Sequence, residues 1–167
     1  KVDLAETETE TCQRVNIEGC FNLAEICDQY DTKLIHISTD FVFDGERHTP
    51  YDEQAYPNPL SVYGKTKKEG EQAVLDELED AIVVRTSWVY SRFGGNFVKT
   101  MLRLAESKTE ISVVEDQIGS PTYAKDLAIA LLTIIRSRWV PGIYHFSNDG
   151  VASWYDFAHS IFEIRGL

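Results

Sequence analysis

The sequence predicts an α/β fold with a largely parallel sheet, and two observations carry the prediction. Short runs rich in β-branched residues alternate with helical segments along the whole chain. Two of those runs, KLIHISTD (33–40) and AIVVRTS (81–87), are compact and bounded by polar residues, as strands buried in a parallel sheet are. The 167 residues, 43% hydrophobic and 26% charged, suffice for one ordinary domain with a core of its own.

From Thr11 to Tyr30, apolar residues at Cys12, Val15, Cys20, Leu23, Ala24 and Cys27 fall close to helical spacing and predict a first helix. The strand at 33–40 follows. Residues 44–61 carry Asp-Gly, Thr-Pro, Tyr-Pro and Asn-Pro breakers and read as a long ordered loop. A charged amphipathic helix spans 60–79, ahead of the strand at 81–87. Residues 95–107 predict a helix with Asn96 as its cap, 111–124 a strand and turn, 125–138 an apolar-faced helix and 142–149 a strand. The last helix, 153–164, opens on Ser153 with Asp156 in the capping-box position. Only about two strands remain for the main sheet, and no glycine-rich strand–turn–helix occurs. The sequence therefore reads as a fragment.

The net charge of −11 repels a phosphate backbone, which argues against nucleic acid as the main partner. A small anionic ligand stays compatible, because a few local cations or a helix N-terminus can hold one. No apolar run approaches the roughly 18 residues of a membrane span, and the acidic start has no signal-like apolar region. Cys12, Cys20 and Cys27 lie in one predicted helix without a CxxC or a ligand-spaced histidine. They read as reduced structural thiols in a cytoplasmic protein, with no metal site.

Two places can carry chemistry. The strand 33–40 ends in Ser38, Thr39 and Asp40, and the carboxyl ends of parallel strands line the ligand crevice of open sheets. A hydroxyl and a carboxylate there can meet a substrate, or can simply cap the following loop. On the helix at 60–79, Tyr63 and Lys67 stand four residues apart and share a face. An ammonium beside a phenol favours phenolate and makes the tyrosine a usable acid/base. The alternative is a solvated face, with Lys65, Lys67 and Lys68 beside Glu69 and Glu71. His36, between Ile35 and Ile37, reads as a satisfied buried or sheet-face histidine, and the other three histidines as structural.

STDFVFDG, then NPLSVYGKTKKEGE with Tyr63 24 residues after Thr39, then VVRTSWVYS and DQIGSPTY, together resemble an extended short-chain dehydrogenase/reductase. Within that superfamily they are most similar to the dTDP-4-dehydrorhamnose reductase family, and the likeness runs the length of the chain. It implies a Rossmann-like α/β fold, here a partial parallel sheet plus part of a small substrate-binding domain. Residues 1–86 would be the C-terminal part of the NAD(P)-binding domain with the catalytic helix. Residues 87–167 would be mainly the substrate-binding region, with elements returning to the first domain. The glycine-rich turn would lie upstream of the chain and a further piece beyond its end, so the isolated fragment is expected to be inactive and to bind NAD(P)H weakly.

The resemblance further implies NADPH- or NADH-dependent reduction of the C4 ketone of dTDP-4-dehydro-6-deoxy-L-mannose to dTDP-L-rhamnose, a step toward cell-surface polysaccharide. Tyr63 would be the proton donor. Lys67 would lower the Tyr63 pKa and bind the nicotinamide ribose, and Thr39 would orient the substrate oxygen. Asp40, Phe41 and Trp88 would contact substrate, Trp88 through its flat face; Thr86 and Ser87 would line the cofactor side. Asn16 lies near a position that steadies the active-site backbone in many reductases. Some relatives dimerise with bound Mg2+, which would make a homodimer, although no residue here is assignable as its ligand. Two other readings keep the fold: another nucleotide-sugar epimerase, dehydratase or reductase, and a non-catalytic relative like the regulatory subunit of methionine adenosyltransferase. The tryptophan in RTSWVYS favours the reductase over the latter.

Overall fold

In the computed structural model, which describes residues 2–166, the chain divides into two compact units. One runs through Thr86 and takes back Trp139–His145; the other comprises Ser87–Arg138 and resumes at Phe146.

The first unit is built on a three-stranded sheet of β1 (Ile35–Thr39), β2 (Ile82–Thr86) and β6 (Gly142–Phe146), in the order β1-β2-β6. The third strand is one more than the sequence count suggested. β1 and β2 are parallel, with Ile35 opposite Ile82 and Thr39 opposite Thr86. All five residues of the central β2 are buried, the apolar Ile82, Val83 and Val84 together with Arg85 and Thr86.

Three helical segments cover the sheet. α1 (Thr9–Gln13) passes through a π-helical turn (Arg14–Glu18) into α2 (Gly19–Gln29), and α3 (Val62–Glu77) packs beside them. Cys20, Ala24, Val74, Leu78 and Ala81 form the shared core, and the three cysteines are free thiols. The predicted single helix over 11–30 is thus interrupted. At the interruption α3 comes so close that a Cβ on Gly70 would stand 2.0 Å from the Asn16 carbonyl oxygen. Gly64 is equally constrained, since its Cβ would lie 2.1 Å from the carbonyl oxygen of Phe41. Gly64 thus lets α3 lie against the backbone that follows β1, and Gly70 lets it lie against the π-helical turn. Its N-terminus is fixed by Ser61, whose hydroxyl accepts from the Gly64 N–H at 3.0 Å.

The second unit holds α4 (Phe97–Ala105), α5 (Ala124–Arg136) and α6 (Trp154–Arg165). Its strands are short: β3 (Val89–Tyr90) pairs in parallel with β5 (Thr122–Tyr123), and β4 (Ile118–Gly119) antiparallel with β7 (Ala152–Ser153). Residues 111–117 do not form the expected strand. Ile111 and Val113 instead pack onto the helical core of Met101, Ala158 and Ile161, and the Val114 carbonyl accepts from the Tyr155 N–H at 3.0 Å. The caps on α4 and α6 form as predicted, Asn96 accepting from Lys99 N–H and Ser153 and Asp156 closing a full capping box. Among the described residues no helix is long and apolar enough to cross a membrane.

Candidate active site

In the first unit, β1 delivers Thr39 and Asp40 to its carboxyl end, where the chain tightens into a 3-10 turn over Asp40–Val42. Thr39 caps that turn. Its hydroxyl donates to Asp40 Oδ1 at 2.9 Å and accepts from the Phe41 N–H at 3.3 Å. Burial pushes the Asp40 carboxyl above its ordinary range, against hydrogen bonds from Thr39 and the backbone.

Tyr63 stands in the first turn of α3, its ring edge-on to Phe41 with centroids 5.6 Å apart. Burial raises its phenol pKa above the ordinary value. The Thr39 hydroxyl beside it pulls the other way, while Asp40 and Cys12 add to the rise. The Lys67 ammonium, one turn along α3, donates to the Ile37 carbonyl at 2.9 Å and meets His36 Nε2 at 3.3 Å. Its own pKa is pushed down by burial. The turn of α3 between the two side chains is held by Asn16, whose Nδ2 donates to Thr66 Oγ1 at 3.1 Å, and Thr66 in turn donates to the Tyr63 carbonyl at 3.0 Å.

Thr86 ends β2 opposite Thr39 and is buried, yet its Oγ1 has no hydrogen-bond partner. An orphaned hydroxyl beside a strand end, together with an ammonium that keeps one of its three N–H groups, fits a ligand with hydroxyl or amide groups, such as the ribose and nicotinamide of a dinucleotide. Among the described residues no cluster of His, Cys, Asp or Glu could hold a metal ion.

In the second unit, Ser87 Oγ donates to the Ser120 carbonyl at 2.7 Å. Trp88 follows with φ +48°, a left-handed conformation rare for a bulky residue. It stacks on Trp154 with centroids 3.5 Å apart and planes 9° from parallel. Gly119 lies against the same indole, where a Cβ would meet Cε2 at 2.6 Å. One face of Trp88 is therefore given to Trp154, so the expected flat face for substrate is at least half taken.

Sequence reasoning missed a buried ion pair. Glu71, named there only within the alternative of a solvated face, accepts from Arg85 Nε at 2.9 Å and Nη2 at 2.7 Å, and both side chains are 4% exposed. The signal was Arg85 inside the apolar run of β2. The loop at 44–61 is ordered, as expected, through the Asp44 carboxylate, which accepts from the Tyr51 hydroxyl, from Asn58 Nδ2 and from the Glu46 N–H.

A family model described as the RmlD substrate binding domain matches residues 1–167. The dTDP-4-dehydrorhamnose reductase of Mycolicibacterium smegmatis is 51% identical over 168 residues, covering 99% of this chain and 51% of that protein. A spore coat polysaccharide biosynthesis protein of Bacillus subtilis, SpsK, is 46% identical over 166 residues, covering 99% of this chain and 58% of that one. Among solved structures, the dTDP-4-dehydrorhamnose reductase of Bacillus anthracis in complex with NADP superposes with a TM-score of 0.96 at 45% identity, over 100% of this chain and 59% of that one. The chain thus spans between half and three fifths of the length of these relatives.

Proposed function

The chain belongs to the RmlD substrate-binding domain family, and on that premise we propose that the full-length protein reduces the C4 ketone of dTDP-4-dehydro-6-deoxy-L-mannose to dTDP-L-rhamnose with NADPH or NADH. The observation that carries this reading is a single constellation: the Thr39 hydroxyl and Tyr63 phenol meet at the carboxyl end of β1, with the desolvated Lys67 ammonium one turn along α3.

Ketone reduction needs a proton for the developing alkoxide, and Tyr63 is the donor. Burial keeps its phenol protonated through neutral pH, so the acid is loaded before substrate arrives. The Thr39 hydroxyl can turn from Asp40 to the same substrate oxygen, giving that oxygen two donors in a water-poor setting. Asp40, Phe41 and Trp88 are assigned to the sugar side, Trp88 with the indole surface that Trp154 leaves uncovered.

Tyr63, Lys67, Thr86 and Ser87 would hold the cofactor. When bound, NAD(P)H supplies the hydride that reduces C4. Lys67 binds the cofactor in this scheme, its ammonium held by the Ile37 carbonyl and the His36 imidazole. In the same reading residues 1–86 belong to the NAD(P)-binding domain and residues 87–167 mainly to the substrate side, and the protein is a cytoplasmic homodimer.

The test is to incubate the full-length protein with dTDP-4-dehydro-6-deoxy-L-mannose and NADPH or NADH, following cofactor oxidation and identifying the sugar by NMR. Formation of dTDP-L-rhamnose is the expected result. A folded, cofactor-bound protein that leaves this sugar untouched would contradict the proposal.

A further inference from the structure

We propose that His36 is a positioning residue for Lys67: its imidazole and the Ile37 carbonyl together clamp the ammonium on β1, leaving one N–H directed to the cofactor. The inference rests on the reading of Lys67 as a cofactor-binding residue, and no sequence motif pointed to it.

Side chains alternate along a strand, so His36 projects to the opposite face from Ile35 and Ile37. Its neighbours on that side are Lys67 and Glu71 on α3 and Cys20 on α2. Lysine is a donor only. For the 3.3 Å contact to be a hydrogen bond, Nε2 must therefore accept, which places the imidazole proton on Nδ1. Nδ1 then faces Cys20 Sγ at 3.8 Å, a weak acceptor that suits a lone N–H. Burial first, and the Lys67 charge second, hold the imidazole neutral, with its pKa lowered to about 4. Both effects favour the form that the clamp requires.

The clamp answers a mechanical problem. A lysine side chain is a flexible four-carbon stem with a point charge, and one acceptor leaves it free to swing. The Ile37 carbonyl and His36 Nε2 are two fixed acceptors from adjacent residues of one strand. Together they consume two N–H groups and orient the third.

The experiment uses the full-length protein and two variants. His36→Leu removes the acceptor; His36→Gln returns one near the position of Nε2. Binding of NADPH is measured by fluorescence titration, and the His36 tautomer by nitrogen-15 NMR of the cofactor-free protein. The expected pattern is an Nδ1-protonated neutral His36, NADPH binding weakened roughly tenfold or more in His36→Leu, and recovery to within a few-fold in His36→Gln. Turnover should show the loss mainly in the cofactor KM and less in kcat. An Nε2-protonated ring overturns the clamp, and so does a folded His36→Leu protein that binds NADPH like the wild type. If His36→Leu does not fold, the tautomer and the Gln variant still decide. A wild-type protein that binds neither cofactor contradicts the proposed function instead, while the tautomer alone still judges the clamp.

Discussion

One turn apart on α3, a buried charge and a half-buried one are treated in opposite ways. Glu71 meets Arg85 through two short hydrogen bonds, and the pair is closed to solvent at 4% exposure on each side. Among the described residues Lys67 forms no such ion pair. It is offered a carbonyl and an imidazole, and its pKa falls through burial. A matched pair satisfies itself and fastens α3 to β2. An ammonium given only neutral acceptors keeps charge in hand, which is useful only to a ligand that brings its own acceptors. The first arrangement holds the fold, and the second is the one we propose holds the cofactor, on the same helix.

The largest expected effect follows from breaking the matched pair. Arg85→Met leaves the Glu71 carboxylate buried without a partner and should lower stability by about 3–5 kcal/mol in chemical denaturation of the full-length protein. A loss within about 1 kcal/mol would mean that water or another cation reaches Glu71, and the contrast with Lys67 would dissolve.

Lys67→Met sharpens the comparison from the other side. Removing a desolvated charge that lacks a counter-ion should leave stability within about 1 kcal/mol of the wild type, or raise it, while NADPH binding is lost. A stability loss as large as that of Arg85→Met would show that Lys67 is structural.

The smallest effect concerns the loop that joins the two halves of the constellation. Hydrogen bonds, first from Tyr51 and then from Asn58, lower the Asp44 pKa from 3.8 to about 2. A depressed carboxyl stabilises the fold above its unfolded pKa, and that contribution is lost as pH falls from about 3.8 through about 2. Backbone amide exchange over residues 44–58 should therefore accelerate in that acid window in the wild type, and Asp44→Asn should flatten the dependence. An unchanged profile in the variant would show that other contacts close the loop.

How much of this was readable beforehand depends on how local each feature is. The capping box at Ser153 and Asp156 and the Asn96 cap were visible because a cap is settled within one turn. β1 and β2 were visible because their apolar runs have no other use. The π-helical turn at Arg14–Glu18 was not, since its position answers to the Gly70 and Thr66 surface of a helix far along the chain. Residues 111–117 misled because Ile111 and Val113 carry strand-like spacing but find a helical core to pack on. In the site, Thr39, Tyr63 and Lys67 stood out by resemblance and spacing. Glu71 did not, buried in sequence among charged neighbours and distinguishable only by what β2 presents to it. The direction of the Tyr63 shift was equally hidden, because it follows from how far the folded chain withdraws the phenol from water.

The most direct test of the central claim, that Tyr63 is the acid of a reductase, is the single-turnover rate of the full-length Tyr63→Phe variant with dTDP-4-dehydro-6-deoxy-L-mannose and saturating NADPH. The expected result is a fall of roughly 10²- to 10⁴-fold against wild type, with thermal stability and NADPH binding retained. A variant that reduces the sugar at close to the wild-type rate would contradict the assignment and return the proton to another donor.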